Sequence, residues 1–355
     1  MRIAVDAMGG DHAPEEIVPG ALAAAQIVDA EICLVGDEIQ LNALLSDTTG
    51  AVARAAVDTR RAGRVTVVHE PGVVGMDESP RAALQRKRRS SMAACVDMVR
   101  DGEADAAVSA GNSGAFMALA TTRLRNIADI DRPAIAITIP TKTGKAILLD
   151  AGANADCRSE HLAQFATMGI CYAEHLLGLD SPRVATLNIG EEQCKGNALT
   201  QATYSLLASA PINFVGHVEP NAILDGHVDV IVADGFVGNV VLKTIEASLQ
   251  FFNDGIKAGI ASSHLARLGA WLMRPVFRSL AAKCDWAEYG GALLLGVNGV
   301  CVVSHGRSDR RAIREAIVVA ANAVEHDIVE EMRQSVQLLS ALPASTEVLS
   351  NSPQV

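Results

Sequence analysis

The sequence is poor in aromatic residues, and its charge balance is negative. Its 355 residues include only 7 Phe, 3 Tyr and 2 Trp, which leaves few rings on which nucleic-acid bases could stack. Lys and Arg number 30 against 41 Asp and Glu, so the formal net charge is −11 and the protein repels a phosphate backbone. We therefore expect no nucleic-acid partner.

Several local motifs are also missing. The seven cysteines are widely spaced without a Cys-x-x-Cys pair, which argues against both a disulfide framework and a zinc site. Neither G-x-G-x-x-G nor a Walker loop occurs, so we expect no nucleotide cofactor and no metal. The longest mostly apolar stretch, Ala292 to Val303, is too short to cross a membrane. The N-terminus reaches the carboxylate of Asp6 too early for a signal peptide, which predicts a cytoplasmic protein.

Short apolar runs alternate along the chain with longer amphipathic or Ala-rich segments. The runs are continuous rather than alternating in polarity, which is typical of strands buried on both faces. They are Arg2–Asp6, Glu31–Val35, Arg64–His69, Ala104–Ser109, Pro133–Ile139, Ala146–Asp150, Arg183–Ile189, Val228–Ala233 and Val300–Ser304. The sequence therefore predicts a layered α/β/α fold with a mainly parallel, Rossmann-like sheet.

The length, about 150 residues being usual for a domain, allows one large or two moderate domains. No long linker separates two halves, so we predict a single α/β domain over residues 1–340 and a disordered tail over 341–355. The segment Thr141 to Gly144, between two strand-like runs, predicts a hairpin.

Six of the predicted strands are followed by glycine and small polar residues. These loops are Asp6-Ala-Met-Gly-Gly-Asp11, Ser109-Ala-Gly-Asn-Ser-Gly114, Asp150-Ala-Gly-Ala-Asn154, Asn188-Ile-Gly-Glu191, Asp234-Gly-Phe-Val-Gly-Asn239 and Ser304-His-Gly-Arg307. Ligands of open α/β sheets bind at the carboxyl ends of the strands. We therefore expect the six loops to meet at one sheet edge and to form a single cleft.

The loop Ser109–Gly114 precedes a helix-compatible run and is the strongest candidate for binding an anion. Asn112 or Ser113 can cap that helix, and the glycines allow backbone N–H groups to close on an oxyanion or phosphate. The alternative is an ordinary tight turn between a strand and a helix.

Two further side chains are candidates for chemistry. Lys195, flanked by Gly190 and Gly196, could neutralise phosphate oxygens as a point charge, or it could be a solvated surface lysine. Asn239 is predicted at a helix N-cap, where its amide could cap the helix or donate to a carbonyl oxygen.

Two basic regions stand out in an acidic chain. The run Arg86-Lys87-Arg88-Arg89 suits either a solvated helix face or an acidic partner. Between Asp254 and Asp285 there is no Asp or Glu, and this segment predicts a basic amphipathic helical hairpin broken at Pro275. Its predicted membrane contacts are Arg267, Leu268, Trp271, Leu272, Arg274, Phe277 and Arg278. The alternative is a helical pair packed in a dimer interface.

Taken together, the motifs resemble the phosphate acyltransferase family, PlsX, from residue 1 to about 340. They are Asp6–Asp11, Ser90-Ser-Met92, Ser109–Gly114, Asn188–Glu192 with Lys195-Gly196, Asp234–Asn239 with Leu242-Lys-Thr244, and Ser304-His-Gly306. One position departs from the family pattern: Leu293 stands where the family has proline.

The resemblance implies transfer of a long-chain acyl group from acyl carrier protein to inorganic phosphate, giving acyl phosphate for phospholipid synthesis. It also implies a homodimer with a fold similar to phosphotransacetylases and isocitrate-type dehydrogenases. The protein would attach peripherally to the anionic inner face of the membrane and supply a downstream glycerol-3-phosphate acyltransferase. Acyl carrier protein, which is acidic, would contact Arg86, Lys87, Arg88 and Arg89.

This chemistry needs few reactive side chains. Phosphate is already a nucleophile near neutral pH, and the thiolate leaving group has a thiol pKa near 8.5, so binding, alignment and carbonyl polarisation remain. We expect phosphate to be held by Gly9, Gly10, Ser109, Gly111, Asn112, Ser113 and Gly114. Lys195 would offset the charge of phosphate and of the tetrahedral intermediate, and Asn239 would donate to the thioester oxygen. Two alternatives are a phosphotransacetylase that uses a coenzyme A thioester and a non-catalytic scaffold of lipid synthesis.

Overall fold

The computed structural model describes residues 1–46, 63–277 and 291–340, which form one mixed sheet with helices on both faces. The strands are β1 (Arg2–Asp6), β2 (Glu31–Gly36), β3 (Val65–His69), β4 (Ala106–Ser109), β5 (Ala134–Pro140), β6 (Lys145–Leu149), β7 (Val184–Leu187), β8 (Phe214–Val218), β9 (Val230–Val232), β10 (Ala292–Leu295) and β11 (Val300–Val303). The helices are α1 (Ile17–Ala24), α2 (Glu38–Ser46), α3 (Pro80–Arg86), α4 (Ser91–Arg100), α5 (Ser113–Leu124), α6 (Ser159–Leu177), α7 (Ala198–Ser209), α8 (Gly235–Ala261), α9 (His264–Leu272), α10 (Arg310–Glu325) and α11 (Ile328–Ser340).

Most strand positions are apolar because both faces of the sheet are covered. In β1, Ile3 and Val5 belong to one buried cluster with α1, α6 and α10, whereas Ala4 belongs to a second cluster with α4 and α5. The predicted layered α/β/α architecture is confirmed. All nine predicted runs contain a strand, but β8 and β10 were not predicted.

The sheet is mainly parallel, and three antiparallel pairings lie in its middle. The strand order is β3-β2-β1-β4-β11-β10-β5-β6-β9-β7-β8, and β10 pairs in antiparallel fashion with both β11 and β5. The predicted hairpin joins β5 to β6, where the Thr141 amide donates to the Gly144 carbonyl over 2.9 Å. Leu293 is buried in β10 and pairs with Ala136 and Val302, so it extends a core strand.

These reversals correct the expectation that six loops meet at one sheet edge. The strands β1, β4 and β11 run one way, and β6, β9 and β7 run the other way. The six loops therefore form two groups of three, at opposite edges of the same sheet.

The basic amphipathic segment differs in its boundaries from the prediction. Residue 254 lies inside α8, a continuous helix of 27 residues, and α9 follows after Ser262 and Ser263. The next interruption is at Met273 rather than at Pro275, because residues 274–277 are again helical. Arg278 and the tail 341–355 lie outside the described residues. Within the described ranges, no helix combines the length and the apolar character needed to cross a membrane.

Close packing fixes the first turns of α8 against β6. A Cβ atom at Gly238 would lie only 1.9 Å from the Asp150 carbonyl oxygen, whereas a Cβ at Gly255, farther along α8, would meet no atom within 4 Å. Gly238 is therefore required by a close backbone approach, and Gly255 is not.

We predict that Gly238→Ala lowers the free energy of unfolding by about 2 kcal/mol or more, because α8 must move away from Asp150. Gly255→Ala is the matched control in the same helix, and we expect it to be neutral or to stabilise by up to about 1 kcal/mol through helix propensity. Urea unfolding of both variants measures the difference. Equal stability of the two variants would contradict this packing.

Candidate active site

A buried carboxyl group organises the loop that follows β1. Asp6 is 1% exposed and accepts hydrogen bonds from the hydroxyls of Ser91 (2.6 Å) and Ser109 (2.7 Å). The backbone amides of Met8 and Gly9 also donate to it. Burial raises the pKa of Asp6, and these four donors act in the opposite direction. The carboxyl group thus joins the ends of β1 and β4 to the start of α4.

The loop Ser109–Gly114 wraps the N-terminus of α5. The Ser109 hydroxyl accepts from the Gly111 amide over 3.1 Å, and the Asn112 side-chain oxygen caps α5 by accepting from the Ala115 amide over 3.0 Å. The Asn112 side-chain nitrogen donates to the carbonyls of Gly75, Met76 and Glu78. Both polar side chains are therefore engaged in holding the loop.

The loop after β11 completes the first group. The Ser304 amide donates to the Ser109 carbonyl over 2.9 Å, and the Asp11 amide donates to the Gly306 carbonyl over 2.8 Å. Gly10 lies between these loops at φ +113°, where a Cβ would be 3.1 Å from the Ala110 carbonyl oxygen. Glycine is required there both by the backbone conformation and by the close approach.

The structure thus brings together all seven predicted phosphate-binding residues: Gly9, Gly10, Ser109, Gly111, Asn112, Ser113 and Gly114. Because the side chains of Ser109 and Asn112 are engaged, the groups that this loop leaves to meet an anion are the backbone N–H groups at the start of α5 and the exposed Ser113. A helix N-terminus carries partial positive charge, which suits a phosphate dianion.

A second buried carboxyl group organises the other three loops. Asp150 is fully buried, and it accepts from the amides of Ile135 (3.0 Å), Gly152 (3.1 Å), Ala153 (2.9 Å) and Asn154 (2.7 Å). Burial raises its pKa, and these hydrogen bonds lower it. Neither Asp6 nor Asp150 was predicted from the sequence as an organising residue. The signal was an Asp at the end of an apolar run that is followed by Ala and, within three residues, by Gly.

Lys195 and Asn239 lie in this second group and not beside Ser109–Gly114. Asp234, not Asn239, caps α8, because its carboxylate accepts from the Val237 amide over 2.9 Å. The predicted N-cap role of Asn239 is therefore wrong: it lies in the second turn of α8, exposed and close to Gly152. Lys195 is exposed in the loop after β7, and the Asn188 side-chain amide donates to its carbonyl over 3.2 Å.

Helix α8 connects the two groups. It starts after β9 in the second group, and Lys243 and Glu246, on its third and fourth turns, lie near enough to His305 of the first group for their charges to act on the imidazole. Helix α8 therefore reaches from the Asp150 loop towards the loop that follows β11.

Comparison with known proteins decides the family. The family described as "Fatty acid synthesis protein" matches residues 1–331. A phosphate acyltransferase of Pelotomaculum thermopropionicum is 47% identical over 337 residues, which are 95% of this chain and 95% of that protein. The chain belongs to the phosphate acyltransferase family. The resemblance inferred from the motifs is confirmed.

Solved structures show the same fold at low identity. A phosphotransacetylase from Streptococcus pyogenes has a TM-score of 0.57 and 17% identity, and the match covers 92% of this chain and 94% of that one. A branched-chain phosphotransacylase from Enterococcus faecalis V583 has a TM-score of 0.54 and 13% identity over 92% and 99% of the two chains. The predicted similarity to the phosphotransacetylase fold is confirmed.

The basic run lies beside the first group of loops. Helix α3 packs against the N-terminus of α5, since a Cβ at Gly114 would be 3.1 Å from the Pro80 ring. Arg86 ends α3, and Arg86, Arg88 and Arg89 are exposed. Lys87 is half-buried, and its ammonium lies 3.8 Å from the Glu78 carboxylate.

The distal part of α8 and α9 presents apolar side chains to solvent. Leu265 is 82% exposed, Phe251 76% and Trp271 66%, and no residue of α9 is buried. Arg267 and Arg274 are exposed on the same segment, and Phe277 is half-buried. The end of α8 and α9 therefore form a projection whose side chains lie mostly in solvent, and the second arm of the predicted hairpin, beyond residue 277, lies outside the described residues.

We predict that Ser109→Ala lowers the free energy of unfolding by about 1–3 kcal/mol, because it removes a donor from the buried Asp6 and leaves the Gly111 amide without its acceptor. Ser113→Ala, on the exposed side of the same loop, is the matched control and should change stability by less than about 0.5 kcal/mol. Chemical unfolding followed by circular dichroism compares the two. A Ser109 variant as stable as the Ser113 variant would show that the network does not hold the loop.

Proposed function

We propose that this protein transfers a long-chain fatty acyl group from acyl carrier protein to inorganic phosphate and releases acyl phosphate for phospholipid synthesis. One observation carries the proposal: three glycine-containing loops of a phosphate acyltransferase family member converge around the N-terminus of α5. Their backbone N–H groups suit a phosphate dianion.

In the proposed reaction, a phosphate oxygen attacks the thioester carbonyl carbon. A carbon–oxygen bond forms, the carbon–sulfur bond breaks, and the thiolate of the carrier leaves with the bond's electrons. Phosphate needs no general base and the thiolate needs little acid assistance, so binding and alignment supply most of the rate enhancement. The loop Ser109–Gly114 holds the nucleophile.

The acyl thioester enters between the two groups of loops, and Lys195 and Asn239 of the second group act on it. The Asn239 amide donates to the thioester oxygen, and the Lys195 ammonium stabilises the negative charge of the tetrahedral intermediate. Their exposure and their place in the second group of loops support this division of roles. A donor aimed at a developing oxyanion changes the rate by about 10²–10³-fold.

Acyl carrier protein docks on the basic run next to the phosphate loop. The guanidinium groups of Arg86, Arg88 and Arg89 are exposed there, while Lys87 is engaged with Glu78. Exposed arginines mainly accelerate and orient the encounter with an acidic partner.

The projection formed by the end of α8 and by α9 lies on the anionic inner face of the membrane. Its exposed Trp271, Leu268 and Leu272 enter the interface while Arg267 and Arg274 meet the lipid headgroups. The apolar product then remains at the membrane, where a downstream glycerol-3-phosphate acyltransferase consumes it.

The protein acts as a homodimer. Most of α8 is exposed in the single chain, which supports a contact between copies.

We predict phosphate-dependent loss of palmitoyl groups from palmitoyl-acyl carrier protein, with acyl phosphate trapped as the hydroxamate by hydroxylamine. Replacing phosphate by sulfate should abolish the product, because sulfate is a far weaker nucleophile. Palmitoyl-coenzyme A is the parallel substrate. Turnover confined to the coenzyme A thioester would contradict the carrier specificity, and no phosphate-dependent turnover with either thioester would overturn the proposed function.

In the same assay, Lys195→Ala and Asn239→Ala should lower kcat by about 10²-fold or more. Asn253→Ala, an exposed asparagine farther along α8, is the matched control and should leave kcat unchanged. Wild-type turnover in both test variants would remove these two residues from the mechanism.

For the membrane contact, we predict that Leu268→Glu and Trp271→Glu abolish flotation with vesicles containing phosphatidylglycerol. Arg267→Ala should weaken binding about fivefold, because each cation near such a surface contributes about 1 kcal/mol. The control is Ile39→Glu, since Ile39 is 81% exposed on α2. Equal binding of wild type to neutral and anionic vesicles would contradict the electrostatic part of the contact.

A further inference from the structure

The loop that follows β11 contacts both the loop after β1 and the loop Ser109–Gly114. The proposed mechanism gives the histidine of this loop, His305, no role. The Ser304 amide donates to the Ser109 carbonyl, and the Gly306 carbonyl accepts from the Asp11 amide. His305 lies between these two hydrogen-bonded positions. Its backbone is therefore fixed against the Gly9–Gly10 and Ser109–Gly114 loops by contacts on both sides, while its side chain is exposed to solvent.

One ring nitrogen of His305 is already engaged. The Arg307 amide donates to Nδ1 over 3.1 Å, so Nδ1 acts as an acceptor. In a neutral imidazole the proton then resides on Nε2, so the Nε2–H group can donate a hydrogen bond. A donor of this kind is suited to an anion and does not need a positive charge.

The groups around the ring favour the neutral form. The His305 side chain is exposed only in part, and this partial burial is the largest cause of its lowered pKa. The cations Lys243 and Arg307 act in the same direction. The carboxylates of Glu246 and Asp11 act in the opposite direction and do not outweigh them. Lys243 itself is half-exposed and forms an ion pair with Glu246 at 2.7 Å on the same helix.

We propose that His305 donates from Nε2–H to an oxygen of the phosphate held by the Ser109–Gly114 loop, and that Lys243 supplies the cation of the same site. The inference rests on the proposed function and deepens it. Lys195 belongs to the second group of loops, whereas Lys243 of α8 is near enough to His305 for its charge to act on the imidazole. The phosphate site then has backbone N–H groups on one side and an imidazole and an ammonium on the other.

The test is isothermal titration of the full-length protein with inorganic phosphate, together with the KM for phosphate in the acyl-transfer assay. We expect His305→Ala to weaken phosphate binding about tenfold or more, which is the usual effect of losing a hydrogen bond to a charged group. His305→Gln keeps a donor at similar reach and should stay within about threefold of wild type. In both variants the KM for phosphate should change more than kcat.

Lys243→Gln should weaken phosphate binding about threefold or more and make the affinity less dependent on ionic strength, because one cation is lost. Two matched controls address unspecific effects. His326→Ala removes an exposed histidine at the end of α10, and Lys142→Gln removes an exposed lysine that forms an ion pair with Asp225. Both controls should bind phosphate as wild type does.

Wild-type phosphate affinity in His305→Ala would overturn the role of His305, and an unchanged affinity and salt dependence in Lys243→Gln would overturn that of Lys243. If His305→Ala melts at a lower temperature than wild type, the Gln variant decides: an affinity as weak as that of the Ala variant contradicts a donor role. Phosphate binding without acyl transfer in wild type would refute the proposed function and still leave the anion site to be judged by these variants. A wild-type protein that does not bind phosphate refutes both.

Discussion

The buried carboxyl group of Asp6 is the interaction on which the first group of loops depends. Burying a carboxyl group to 1% exposure costs free energy, and hydrogen bonds from two hydroxyls and two backbone amides offset this cost. Those donors come from three separate segments, so one side chain fixes the relative positions of β1, β4 and α4. Asp150 does the same for the second group with backbone amides and one side-chain amide. The two halves of the molecule thus use the same physical solution at the ends of different strands.

Much of this architecture could be predicted from the sequence. A strand that is buried on both faces must be apolar at each position, and this requirement made nine of the strands visible as continuous runs. The edge strand β8 lacks the signal because Gly216 and His217 interrupt its apolar character, and Val215 is 48% exposed. The glycine-containing motifs indicated the family, because a glycine that must adopt φ +113° or accept a close backbone contact cannot be replaced without strain.

The direction of the strands could not be predicted in the same way. The apolar composition of a strand does not depend on the direction in which the strand runs in the sheet. The antiparallel orientation of β10 and β6 is set instead by their pairing with β5. That reversal divides the six loops into two groups. The capping of α8 also escaped prediction, because Asp234 and Asn239 are both good capping residues and only the position of the first helical turn decides between them.

Helix α8 has mechanical consequences of its own. Its root is clamped where Gly235 and Gly238 press on the Asp150 loop, and beyond Leu242 none of its residues is buried. At about 1.5 Å per residue, roughly 30 Å separates Asn239 from the tip of the helix. A tilt of about 10° at the root therefore displaces the tip by roughly 5 Å over such an arm. A force applied at the outer end of the helix would therefore act as a torque on Gly235, Gly238 and the Asp150 loop.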